Sequence, residues 1–205
     1  MLMTLRIIQG VMSGMCMNVW CAIRTYTAHA TELGNPIPQE PVFFLKASSC
    51  VVPPMTLNTF DGEVHHEVEL VVRLDGDLKP SEMTVGLDLT KRDTQEYLKS
   101  KSLPWAEAKS FYASAMIGSW VPYDSRAEID LTVNENVVQK GTTEMMTWSP
   151  TELVEMLSSW APVVPGDILF TGTPSGVGQL NPTDVIKATL RVNGQELTTF
   201  TTECV

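Results

Sequence analysis

Hydrophobic and polar positions alternate with a period of two over much of the chain. Met83, Val85, Leu87 and Leu89 face one way on an extended segment, and Thr84, Gly86, Asp88 and Thr90 the other, the pattern of a half-buried strand. VHHEVELVVRLDGD, Val64 to Asp77, predicts another strand over Val64 to Leu74, closed by Asp75-Gly76-Asp77. Residues 40–46 (EPVFFLK) and Val51-Val52 predict one or two more, which cannot continue through Pro53-Pro54. Ala127 to Gly141 reads as a hairpin around Asn134-Glu135-Asn136, and Val185 to Cys204 as another around Asn193-Gly194, a type I′ turn signal. Two segments have helical spacing. Residues 91–101 (KRDTQEYLKSK) are polar and stop before Pro104. The other helix starts with Ser149 as N-cap, Pro150 at the first helical position and Glu152 completing a capping box, and runs to about Trp160. Many strands with two or three short helices predict an α+β fold built on a large mixed sheet.

The chain has 205 residues, enough for one good-sized core. The expected organisation is one domain over residues 20–205, preceded at 1–19 by strands that turn at Ser13-Gly14. The opening 23 residues are Met-rich and apolar, but Gln9, Ser13, Gly14 and Asn18 interrupt them. The interruptions argue against the apolar run of a signal peptide, and no segment reaches the ~18–20 apolar residues of a membrane span. A net charge of -10 argues against a nucleic-acid surface and against anionic lipid. It leaves room for a locally positive site that takes a small anion. Cys16, Cys21, Cys50 and Cys204 form no C-x-x-C pair and no His-flanked set. That argues against zinc and fits reduced thiols in a cytoplasmic protein.

Four constellations could carry chemistry. Glu67 and Glu69 lie two apart on a strand, hence on one face, with Asp88 on the polar face of another. Three carboxylates with no sulfur or imidazole suit a hard divalent cation, Mg²⁺ or Mn²⁺. An exposed strand edge with solvated acids fits the spacing as well. His29 and Glu32 are one helical turn apart, so Glu32 could orient His29 as a general base, or the two could be surface neighbours. Arg92 and Gln95 follow Asp88 at i and i+3, with Lys109 further on. Cations there suit an anionic substrate or a solvated helix face. TGTPSGVG, 171–178, follows the apolar Ile168-Leu169-Phe170. It lacks the Gly-Lys-Ser/Thr ending of a phosphate loop, and reads better as a tight turn offering amides and Thr hydroxyls to a ligand.

In this order, YTAHATEL, PVFFLK, HHEVEL, LDLTKRDTQ, LPWAEAKSF, PGDILFTGTP and SGVG together resemble the fumarylacetoacetate hydrolase family, from about Trp20 to the C-terminus. The chain looks most like its short members that act on acylpyruvates or oxaloacetate. The resemblance implies a mixed β-sandwich roll, a homodimer, and Mg²⁺ or Mn²⁺ held by Glu67, Glu69 and Asp88. It implies His29 and Glu32 as a water-activating pair on a lid, and Arg92, Gln95, Lys109 and Thr173 as groups that hold or polarise the substrate. The reaction so implied is hydrolysis of an acylpyruvate. Water activated by His29 attacks the distal carbonyl, Lys109 stabilises the oxyanion, and C–C cleavage releases pyruvate. Oxaloacetate decarboxylation, isomerisation of a 2-oxo-dienoate and non-catalytic binding of a 2-oxo acid are the alternatives. The chain departs from the family pattern at Ile23 and Thr25 (commonly Gly and Asn), at Ala28 (Asp) and at Ala47 (Pro), around the expected lid.

Overall fold

The computed structural model describes residues 17–26 and 40–205. The strand pair expected about Ser13-Gly14, and His29 and Glu32, lie outside the described residues. In chain order the strands begin with β1 (Val19–Ile23), β2 (Val42–Lys46), β3 (Val51–Val52), β4 (Val64–His66) and β5 (Val68–Leu74). They continue with β6 (Pro80–Asp88), β7 (Thr90–Lys91), β8 (Ala115–Ile117), β9 (Val121–Pro122) and β10 (Ala127–Val133). The last are β11 (Asn136–Thr142), β12 (Ile168–Phe170), β13 (Gly178–Gln179), β14 (Val185–Val192) and β15 (Gln195–Glu203). The α-helices are α1 (Arg92–Ser100), α2 (Ala106–Lys109) and α3 (Pro150–Ser158).

These strands form three sheets. The largest runs β2-β1-β12-β5-β6-β8-β3, with β9 paired to β6. It is mixed, because β1 pairs with β12 and β3 with β8 in parallel while the other pairs are antiparallel. A four-stranded antiparallel sheet runs β11-β10-β14-β15, and β13-β4-β7 form a small third sheet. The expected α+β architecture with a large mixed sheet and few short helices is what is found.

Local chemistry explains most element ends. Both hairpin turns use two residues in the left-handed region, Asn134 and Glu135 (φ 50° and 66°) and Asn193 and Gly194 (φ 50° and 77°), as a type I′ turn requires. Ser149 accepts from the Glu152 amide while the Glu152 carboxylate accepts from the Ser149 amide, closing the capping box that starts α3. That helix ends at Ser158, two residues short of Trp160.

The main core lies between the large sheet and the four-stranded sheet. Val68, Leu70, Val72, Met83, Val85 and Leu87 from β5 and β6 meet Ile129, Leu131, Ile186, Ala188 and Leu190 from β10 and β14. A second cluster, Val19, Cys21, Cys50, Val71, Ala115, Ile168 and Phe170, fills the other face of the large sheet. Gly86 allows that second face to close, since a Cβ there would meet Val71 Cγ2 at 2.7 Å and Phe170 Cε1 at 2.9 Å. Asp167 ties β1 to β12. Its carboxylate accepts from the Asn18 amide at 2.8 Å and from Trp20 Nε1 at 3.0 Å.

Two expected strands are each broken in two. Val64 to Leu74 is interrupted at Glu67 and Met83 to Thr90 at Leu89, so that β4 and β7 pair in the small sheet while β5 and β6 stay in the large one. The freed backbone groups at the breaks find other partners: Asp88 N–H donates to Glu67 C=O (2.9 Å) and Leu89 N–H to Ser114 C=O (2.9 Å). Both chains change sheets at the same level, beside the acidic residues.

Candidate metal centre

That change of sheets assembles the acidic cluster. Glu69 sits on β5 opposite Gly86, Glu67 in the link between β4 and β5, and Asp88 at the end of β6. One carboxylate oxygen from each of the three lies within 4.8 Å of the others, and all three residues are buried. The exposed strand edge that the spacing also allowed is therefore not what forms.

Three cations enclose the cluster. Lys109, at the end of α2, donates to Glu67 Oε2 (2.8 Å), Asp88 Oδ2 (2.9 Å) and Thr90 Oγ1 (2.6 Å). Arg92, the first residue of α1, donates from its two terminal nitrogens to Glu67 Oε1 (2.5 Å) and Gln95 Oε1 (2.7 Å). Lys46, at the end of β2, places Nζ 2.7 Å from Asp88 Oδ1. Its N–H groups instead donate to the carbonyls of Leu89, Lys109 and Ser114.

The electrostatics separate the two glutamates. Burial opposes ionisation of Glu67, but Lys109 and Arg92 outweigh it and hold the carboxyl at about 2. Burial, with Asp88 and Glu67 beside it, pushes Glu69 well above the usual range, although the Gly172 amide donates to its Oε2 at 2.7 Å. Burial disfavours the Lys109 ammonium as well, yet Asp88 and Glu67 reverse that and raise its pKa. Two groups lie near enough to feel the cluster: burial, then Glu69, raises Tyr26, and burial, then Asp88, raises Cys21.

These residues fit a divalent cation. Asp88 Oδ1 is buried and receives no hydrogen bond, because every N–H of the nearest ammonium is committed to a carbonyl. Burial first, then repulsion from Asp88 and Glu67, raises the pKa of Glu69. An oxygen-liganded divalent ion would supply the positive charge that both features lack.

The loop after β12 buttresses the centre. Gly172 has φ +100°, and a Cβ there would lie 2.0 Å from Thr25 Oγ1, which itself donates to the Thr171 carbonyl at 2.6 Å. Thr171 Oγ1 donates to the Leu70 carbonyl (2.9 Å) and Thr173 Oγ1 to the Val68 carbonyl (2.8 Å). The amide and hydroxyls that the sequence offered to a ligand are thus directed at β5 and Glu69. Gln139 locks the arrangement: its Nε2 donates to Thr173 Oγ1 and Pro174 C=O, both at 2.9 Å. Its Oε1 accepts from Val68 N–H at 3.0 Å and lies 2.9 Å from His66 Nδ1. With the amide nitrogen so engaged, His66 Nδ1 carries the proton.

A cleft opens over Glu67 and Glu69, lined by Ile23, Arg24, Arg92, Gln95, Lys99, Trp105, Lys109 and Thr173. Of the residues singled out in the sequence, Glu67, Glu69, Asp88, Arg92, Gln95, Lys109 and Thr173 come together at one place. Lys46 and Gln139 were given no role in the sequence reading. The one signal was a lysine closing an apolar strand, VFFLK, with its side chain wholly buried. Among the described residues, no helix is long and apolar enough to cross a membrane.

A family model described as fumarylacetoacetate (FAA) hydrolase C-terminal matches residues 18–203. A mitochondrial oxaloacetate decarboxylase of Dictyostelium discoideum is 38% identical over 183 residues, covering 80% of this chain and 84% of the relative. An oxaloacetate tautomerase of Escherichia coli is 32% identical over 200 residues, covering 88% of this chain and 90% of the relative. Among solved structures, fumarylpyruvate hydrolase from Pseudomonas aeruginosa, in complex with Mn²⁺ and pyruvate, aligns with a TM-score of 0.83 at 31% identity. That alignment covers 92% of this chain and 89% of the other. Matched by the family model from residue 18 to residue 203, the chain belongs to the fumarylacetoacetate hydrolase family.

Proposed function

We propose that the chain is a divalent-metal-dependent enzyme acting on oxaloacetate, by tautomerisation or decarboxylation, with Glu67, Glu69 and Asp88 as the ligands of Mg²⁺ or Mn²⁺. The observation that carries this reading is the charge of the buried cluster. Three carboxylates face three cations, Lys46, Arg92 and Lys109. When all six are ionised, an added divalent ion leaves this buried cluster with a net charge of two positive, before Arg24 and Lys99 of the cleft are counted. A dianionic 2-oxo acid neutralises that charge. Several relatives are named as oxaloacetate tautomerases or decarboxylases, which favours oxaloacetate over the acylpyruvate that the sequence put first.

When bound, the cation would seat the adjacent carboxylate and carbonyl oxygens of the substrate and oppose negative charge growing on that carbonyl. The chain's own groups prepare the site for this. Lys109 fixes Glu67 and Asp88 in one geometry, and Arg92 holds the other Glu67 oxygen while lining the cleft. Lys109 directs hydrogen bonds to three acceptors, Glu67, Asp88 and Thr90. These bonds orient the proposed ligands. Thr173, tied to β5 and Gln139, fixes the back of the cleft. His29, which the sequence pairs with Glu32, would take the proton from carbon 3 in tautomerisation, and the carbon 2 oxygen would gain one, giving the enol.

The second reading, acylpyruvate hydrolysis, has one observation behind it, the likeness to fumarylpyruvate hydrolase. There His29 takes its proton from water instead. Decarboxylation needs no such base. The test is turnover of oxaloacetate and of acetylpyruvate with Mg²⁺, Mn²⁺ and EDTA, in the wild type and in His29→Ala. Metal-dependent loss or enolisation of oxaloacetate supports the proposal. Turnover of acetylpyruvate alone supports hydrolysis and overturns it. Decarboxylation that survives His29→Ala separates that reaction from tautomerisation.

A further inference from the structure

The cleft holds more positive charge than the cluster neutralises. Of its four cationic side chains, Arg92 and Lys109 pair with Glu67. Arg24 and Lys99 also line it, and among the described residues neither has an acidic partner within ion-pair distance. Lys99 Nζ lies 3.4 Å from Gln95 Oε1, an oxygen that Arg92 already engages at 2.7 Å. It also sits 5.0 Å from the centre of the Trp105 ring. Both contacts hold the ammonium in place without neutralising it.

Arg24 is held there at a conformational cost. Its φ of 60° lies in the left-handed region, which disfavours a residue with a Cβ by roughly 1–3 kcal/mol unless the surroundings impose it. They do so on both sides. Ile23 pairs with Val42 in the β1–β2 ladder. Beyond Arg24, the Thr25 carbonyl accepts from Thr147 N–H at 2.7 Å and the Thr25 hydroxyl donates to Thr171 C=O at 2.6 Å. Thr25, one of the departures from the family pattern, is thus one of the residues that imposes the strained backbone.

We propose that Arg24 and Lys99 form a second anion seat in the cleft, which takes the distal carboxylate of a dicarboxylic 2-oxo acid. The seat would select such substrates over 2-oxo acids with an uncharged tail. This rests on the reading of the centre as a metal-dependent 2-oxo acid site. When a cation is held by Glu67, Glu69 and Asp88, the head of the substrate would be taken there, beside Arg92. A tail carboxylate would then reach two cations that have no acidic partner among the described residues. The field at Lys99 agrees: burial first, then Arg92 and Lys109, lower its pKa, and Arg24 adds to the repulsion. A carboxylate between them would relieve it.

The test compares two substrates alike in the head and different in the tail. Oxaloacetate ends in a carboxylate, and 2-oxobutyrate ends in a methyl group. With Mn²⁺-loaded protein, KM for oxaloacetate and the inhibition constant of 2-oxobutyrate are measured for wild type, Arg24→Asn and Lys99→Met. Calorimetric affinities for both ligands are measured in parallel. Asparagine accepts the left-handed backbone better than arginine, so Arg24→Asn keeps its fold and any loss belongs to the guanidinium. The expected result is about a tenfold weaker hold on oxaloacetate in each variant, with 2-oxobutyrate within twofold and Mn²⁺ affinity unchanged. Equal weakening of both ligands, or no weakening of either, overturns the seat. Oxaloacetate turnover that ignores Mn²⁺ and EDTA overturns the reading beneath it. In that case the calorimetric preference for oxaloacetate over 2-oxobutyrate still decides whether Arg24 and Lys99 bind an anion.

Discussion

Lys46 closes an apolar strand, and its ammonium is buried against three backbone carbonyls and the Asp88 carboxylate. Removing it would leave three buried carbonyls without their donor and take from Asp88 one of its two cations. Breaking a buried pair this way costs about 3–5 kcal/mol. Lys46→Met is therefore expected to lower unfolding stability by that amount in urea titrations, and a change under about 0.5 kcal/mol would show that water replaces it freely. Glu67 gives a pH signature. Its carboxyl sits at about 2 when folded, against an ordinary 4.5. A depressed folded pKa means stability that is complete above about 4.5 and lost as pH falls toward 2. Glu67→Gln should flatten that acid limb of the stability curve, and an identical limb in the variant would assign it to other carboxylates. The three acids and Arg92 were legible in sequence because alternation and helical spacing are local rules, whereas a role for Lys109 follows only from the family resemblance. Lys46 was not legible, since its acceptors lie 43, 63 and 68 residues away. Gln139 was hidden for the same reason, its partners Val68 and His66 being 71 and 73 residues distant.

At the scale of elements, the loop after β12 and the helix α3 make opposite cases. Gly172 combines φ +100° with a Cβ direction that ends 2.0 Å from Thr25 Oγ1. Gly172→Ala is expected to cost about 2 kcal/mol or more. It should also weaken Mn²⁺ binding, because the displaced amide no longer holds Glu69. Retained affinity, read by electron paramagnetic resonance of free Mn²⁺, would deny that link. Ser149→Ala breaks the capping box of α3 and is expected to cost about 1 kcal/mol with Mn²⁺ affinity unchanged. The cap and both hairpin turns were readable because a few adjacent residues determine each. The breaks at Glu67 and Leu89 were not. An unbroken run of alternating residues says nothing about which sheet each half will join, and here the halves join different ones.

Across the whole molecule, the order of strands was the least legible feature. Parallel neighbours such as β1 and β12 pair Val19 with Ile168, and no local pattern encodes a contact over that separation. The same topology explains why a cation should stabilise the fold as well as the chemistry. The proposed ligands come from the β4–β5 link, β5 and β6, at the level where the chain changes sheets. Binding to the folded state alone adds about 2.7 kcal/mol at a hundred times Kd. For a chain of this size that is a rise in Tm of about 5–10 °C. Proton competition at Glu69, whose pKa burial and the neighbouring Asp88 and Glu67 raise, gives the sign of the pH effect: Mn²⁺ affinity should strengthen as pH rises. Affinity that is flat with pH would mean that Glu69 is no ligand. The most direct measurement of the central claim is to titrate EDTA-stripped protein with Mn²⁺ and follow bound metal and oxaloacetate turnover in the same sample. The expected result is no turnover in the stripped protein and a rate that rises in proportion to a single saturable site, absent in Glu69→Ala. Equal turnover with and without metal, or a saturated site with no turnover, would contradict it.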